Sequence, residues 1–173
     1  MDLRYPVGPF TFTAALSEPE RQKLIDEIAA TPEKMRDAVA GLDDQQLNTA
    51  YRPEGWTVRQ VVHHVPESHL NSYTRFKLAV TEDEPTIKPY FEDRWAQLDD
   101  AREAPVDLSL DLLDALHARW VWFLRSLKQA DFQRTFRHPD LGVVSLDKNV
   151  ALYAWHGRHH VAHVTSLRSR MGW

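Results

Sequence analysis

Residues 146–170, LDKNVALYAWHGRHHVAHVTSLRSR, decide how this chain folds. They read as one long helix with a polar arc of Arg158, Thr165, Ser166 and Ser169. His156, His159, His160 and His163 fall inside that stretch, on the inward face or at its edge. Helix residues four apart project from one face, so two imidazoles at that spacing share a metal ion without distorting the backbone. Two such pairs are present, His156/His160 and His159/His163, and helical period does not rank them.

Working outward, three further amphipathic segments give this helix partners. Ser17 is placed to cap a first helix over residues 17–40, rich in Leu, Ile, Ala, Glu and Lys, with a kink or restart at Thr31-Pro32. Thr57 and Gln60 have capping-box spacing and open a second helix over 57–80, with an apolar stripe of Val58, Val61, Val62, Val65, Tyr73 and Phe76. Pro66 lies inside it on the flank shared by Arg59 and Lys77, which predicts a bend rather than an end. Residues 81–107 carry Pro85, Pro89 and Pro105 and read as a long crossover. A third helix over 109–128, capped by Ser109, buries Leu113, Leu116, Trp120, Leu124 and Leu127. His138 to Gly142 is a turn, and Val143-Val144-Ser145 extends briefly before the fourth helix. The expectation is an all-α four-helix bundle, one domain over 1–173 with an irregular arm at 1–16 and the long crossover between helices two and three.

Composition limits the function classes. The chain has 173 residues, 43% hydrophobic and 27% charged, a globular balance suited to one packed domain. A formal net charge of -4 offers no broad positive field, so neither nucleic acid nor an anionic membrane is an expected partner. Cysteine is absent, which removes disulfides, Cys-type zinc sites and an internal thiol nucleophile; sulfur chemistry would need an external thiol. No stretch has the length of an apolar membrane span and Met1 to Phe10 lacks a signal pattern, so a cytoplasmic setting is expected.

The second helix adds the third element of a site. His64 lies in line with Ser68, Asn71 and Arg75 beside the valine stripe, a polar edge of the kind that lines a cavity within a bundle. His63 points away from it. Isolated histidines such as His117 and His138 are expected to be satisfied by carbonyl groups, and Glu67, Asp43/Asp44 and Asp99/Asp100 to be solvated. Trp56 and Trp155 are the tryptophans placed to wall a pocket. No glycine-rich phosphate loop, Gly-x-Ser-x-Gly elbow or His-Glu-x-x-His motif occurs.

Gly55-Trp56-Thr57-Val58-Arg59-Gln60-Val61-Val62-His63-His64, Ser68-His69, Asn71-Ser72-Tyr73 and Arg75-Phe76-Lys77-Leu78 resemble the YfiT-type members of the DinB superfamily. Tyr153, Trp155-His156, His159-His160, Ala162-His163 and Arg170-Met171-Gly172-Trp173 continue the resemblance, as do Tyr5-Pro6 and His117-x-Arg119-Trp120. It spans nearly the whole chain. The resemblance implies one nickel or zinc ion per chain, held by His64 and by His159 with His163. Activities implied are transfer of a low-molecular-weight thiol such as bacillithiol to an electrophilic small molecule, metal-dependent hydrolysis, or a non-catalytic metal-binding stress-response role, with the transferase expected. Under that expectation Ser68, Asn71 and Arg75 fix the thiol, with Arg75 its anion clamp. Tyr73 and Trp155 border the pocket, and His156 or His160 orients a ligand or carries a proton. A homodimer is expected, with Trp173 packing on a neighbour.

Overall fold

The computed structural model describes residues 2–173. Its helices are α1 (Glu18–Ala29), α2 (Thr31–Val39), α3 (Asp44–Leu47), α4 (Val58–Thr81), α5 (Glu92–Trp95), α6 (Asp99–Glu103), α7 (Val106–Ser126) and α8 (Leu146–Met171), with a hairpin of β1 (Thr135–His138) and β2 (Gly142–Ser145) before α8. The combined α1–α2 unit and α4 each pack against both α7 and α8, which makes a four-helix bundle.

Local chemistry explains the element ends. The Glu20 carboxylate accepts from the Ser17 backbone N–H and hydroxyl at the start of α1. Thr57 and Gln60 form the expected capping box on α4. α1 and α2 part at Ala30, as expected from Thr31-Pro32, whereas α4 runs through Pro66 without ending. The flank carrying Arg59 and Pro66 is buried rather than solvated, because α6 packs over that part of α4.

Two expectations need correction. α7 begins at Val106 rather than near Ser109, since Pro105 takes the N-cap position and the Ser109 hydroxyl is bonded to His63 Nδ1 at 2.7 Å. The crossover is not bare loop: it holds α5 and α6, and its Pro85 carbonyl and Ile87 amide bond the backbone of Arg137 in β1. Trp173 is half-buried and packs against the apolar cluster of its own chain that contains Met35, Val58 and Val164. The turn at 138–142 is found, with Thr135↔Ser145 to His138↔Gly142 antiparallel pairing, and Ser145 caps α8 by accepting from the Lys148 amide.

The core has two apolar parts. One centres on Ile28, Phe76, Trp120, Leu146 and Tyr153, the other on Met35, Val58, Val61, Leu113 and Val164. Along α4, α7 and α8, His69, His117, His156 and His160 fall between these two sets, with His64 among the valines of the second; all are buried except the half-buried His156.

Candidate metal centre

α4 and α8 face each other across a cavity of about 700 Å³ lined by His64, His156, His159, His160 and His163. His64 reaches it from α4 with the Trp56 ring 4.7 Å behind. The tightest convergence is His64, His156 and His160, each offering a ring nitrogen within 4.8 Å of the others. His64 Nε2 and His156 Nε2 are 3.3 Å apart. That separation suits two nitrogens on one tetrahedral ion with metal–nitrogen bonds of about 2.0–2.1 Å.

The other α8 pair sits on the rim. The His159 and His163 rings are 4.2 Å apart, with Tyr51 stacked on His163 at 3.9 Å and Trp155 stacked on His159 at 4.4 Å. His163 Nε2 meets the Arg4 carbonyl at 3.2 Å, so the N-terminal arm lies against this end of the cavity. His159 Nδ1 is buried without a hydrogen-bond partner. The structure therefore brings His64 to the pair His156/His160 rather than to His159/His163, because the α8 turn facing α4 directly carries 156 and 160.

All five imidazoles are held neutral. Burial pushes His64 down to about 3, with the neighbouring histidines adding to the effect. It pushes His159 and His163 to about 4, and His156 and His160 well below the usual histidine range. Neutral imidazole is the ligating form, so a set of nitrogen donors with no proton to lose fits a divalent transition metal such as zinc or nickel.

The remaining sequence candidates divide. Ser68 and Arg75 line the cavity. Asn71 does not: its Nδ2 donates to the Glu67 carbonyl at 2.9 Å, one turn back on its own helix. Tyr73 faces Phe123 and Lys77 on the far side of α4, since the helix has rotated away from the cavity by that position. Trp155 supports His159 from behind and donates its Nε1 hydrogen to the Gly8 carbonyl, so it holds the arm rather than the cavity wall. His63 is spent on Ser109 and the Ala104 carbonyl, away from the site. Glu67 is half-buried rather than solvated, and desolvation together with Asp100 raises its carboxyl to about 7.

Residues that periodicity does not reveal complete the wall: Arg4 and Tyr5 from the arm, Tyr51 and Arg52 from the loop before α4, Tyr90 from the crossover and His138 from the hairpin. All but His138, at the end of β1, lie on loops, where spacing carries no facing information. Among the described residues Arg4, Arg52 and Arg75 form no salt bridge. The acids Glu54, Glu92, Asp93 and Asp140 also line the opening.

Comparison with known proteins agrees with this architecture. YfiT from Bacillus subtilis, described as "a probable metal-dependent hydrolase with an unusual four-helix bundle topology", superposes with a TM-score of 0.98 at 45% identity, over 100% of this chain and 99% of that one. A Bacillus mycoides (strain KBAB4) relative named "Putative metal-dependent hydrolase" is 56% identical over 172 residues, 99% of each chain. A Bacillus cereus (strain ZK / E33L) relative with the same description is 55% identical over the same length and coverage. Residues 27–164 match the DinB superfamily, and the chain belongs to that family.

Proposed function

We propose that His64, His156 and His160 hold one divalent transition-metal ion, and that the chain transfers an external low-molecular-weight thiol, of the bacillithiol type, onto an electrophilic small molecule. The observation that carries this reading is a nitrogen-only, uncharged donor set in the same cavity as Arg4, Arg52 and Arg75, which carry no carboxylate partner among the described residues. A divalent ion bound there supplies Lewis acidity that lowers the pKa of a coordinating thiol or water toward neutrality. The protein's own residues do the rest. Arg75, without an ion-pair partner among the described residues, presents its guanidinium to an anionic group on the thiol, and Ser68 offers a hydroxyl near His156. Trp56 and Tyr51, packed on His64 and His163, fix the imidazoles and exclude water from their faces. A purely metal-storing module has no use for an adjoining cavity of about 700 Å³, which is within the range of small-molecule sites.

Hydrolysis is the second reading, favoured by the descriptions given to the relatives. The same centre would then activate water, with the arginines holding an anionic substrate. Metal-loaded protein assayed with bacillithiol, glutathione, mycothiol and cysteine against a chlorodinitrobenzene separates the two. Turnover above the uncatalysed rate that falls on Arg75→Ala through a raised KM supports thiol transfer. No thiol-dependent rate, with cleavage of an ester or amide, replaces it by hydrolysis.

A further inference from the structure

Pro32 has no backbone N–H, so the Ile28 carbonyl at the end of α1 lacks the donor that a continuing helix would give it four residues on. His117 on α7 supplies one, with Nδ1 at 2.7 Å from that oxygen. His117 Nε2 lies 2.7 Å from His69 Nδ1, and His69 Nε2 lies 3.0 Å from His156 Nδ1. Three imidazoles thus connect a backbone carbonyl in the core to the candidate metal centre.

Hydrogen-bond chemistry gives this chain one direction. A carbonyl only accepts, so His117 is protonated at Nδ1 and, being neutral, carries a lone pair on Nε2. His69 must then donate from Nδ1 and accept at Nε2, and His156 must donate from Nδ1. The lone pair of His156 is left on Nε2, beside His64 Nε2 at 3.3 Å. Reversing the chain would set the Ile28 carbonyl against a bare nitrogen. No water can mend that, because His69 is 0% and His117 1% exposed, with the Trp120 ring edge-on to both.

We propose that His117 and His69 are positioning residues of the metal centre, a relay anchored on the Ile28 carbonyl that holds His156 protonated at Nδ1 with its Nε2 lone pair aimed into the cavity. The proposal rests on the reading of His156 as a metal ligand. Outer partners of ligating histidines fix ring tautomer and orientation, and their loss weakens metal binding by about 10–100-fold. Here the outer partners are themselves histidines, and the last rests on a carbonyl released by a proline.

The test begins with nitrogen-15 histidine spectra of the metal-free full chain. His117, His69 and His156 are expected to be protonated at Nδ1 and bare at Nε2; finding His156 protonated at Nε2 overturns the relay without any variant. Zinc affinity is then compared for His117→Phe and His117→Gln. Phenylalanine removes the anchor, and mixed tautomers at His69 and His156 are expected with zinc affinity down by about 10–100-fold. Glutamine can donate to Ile28 and accept from His69, so it is expected to restore both. Unchanged tautomers and affinity in His117→Phe refute the positioning role. If the wild-type spectrum is as expected but His156→Ala binds zinc as tightly as wild type, the ligand reading is the one that fails, and the relay loses its metal role with it.

Discussion

Replacing His117 by glutamine removes one ionisable group from the core while leaving both hydrogen bonds satisfiable, so it isolates a pH effect. Burial pushes the His117 imidazole from 6.5 down to about 4 against a smaller opposing pull from the Ile28 carbonyl. The unfolded chain releases that constraint and titrates near 6.5, so it binds more protons than the folded chain across the window between the two values. With the folded pKa depressed, the stabilisation is fully present above the unfolded value and is lost as pH falls toward about 4. One such group withdraws about 1.4 kcal/mol between about pH 7.5 and about pH 5.5, and on the order of 3 kcal/mol by the end of the window. Urea unfolding of metal-free protein, followed by tryptophan fluorescence at those two pH values, measures it. Wild type should lose about 1.4 kcal/mol more than His117→Gln over that interval. Parallel losses would show that His117 is not held neutral, and the reasoning would be refuted.

Three other outcomes follow from particular contacts. Asp147 is buried and receives Arg21 at 2.6 Å, so Asp147→Ala strands a buried guanidinium and should cost about 3–5 kcal/mol, seen as a Tm lower by roughly 10 °C. A Cβ on Gly157 would stand 2.6 Å from Thr31 Oγ1, so Gly157→Ala should destabilise by about 1–3 kcal/mol in urea unfolding, and Thr31→Ala in the same chain should recover part of it. Arg75 lines the cavity without an ion-pair partner among the described residues, so Arg75→Ala should leave the urea midpoint nearly unchanged; a loss above about 1 kcal/mol would make it structural.

The bundle was legible because its signals are local. The Thr57/Gln60 box, the valine stripe on α4 and the Thr31-Pro32 break each act within a few residues, and each appears where the spacing places it. Ser109 misled because a hydroxyl near a helix start is also a good side-chain partner, and here His63 takes it. The site was legible only in part. Spacing brought His64 and the α8 histidines to one interface but could not say which α8 pair meets α4, since that depends on how α8 is rotated in the packed bundle. Periodicity placed Asn71 beside Ser68 and Arg75, yet its amide is captured by the Glu67 carbonyl. His117 looked like an ordinary core histidine satisfied by a carbonyl, and it is one. Its second nitrogen gives it a further connection, which only the packing of α7 on α4 creates. Tyr51, Arg52 and Tyr90 were out of reach because loop residues carry no facing signal.

The central claim is that His64, His156 and His160 form the metal centre. It is tested most directly by elemental analysis of protein purified without an affinity tag, wild type beside His64→Ala, His156→Ala, His160→Ala, His159→Ala and His163→Ala. The account predicts about one zinc or nickel ion per wild-type chain, its loss in the first three variants, and retention in the last two. Full metal content in His156→Ala and His160→Ala with loss in His159→Ala and His163→Ala would move the centre to the other α8 pair. Metal-free wild type that takes up no zinc or nickel would contradict the account altogether.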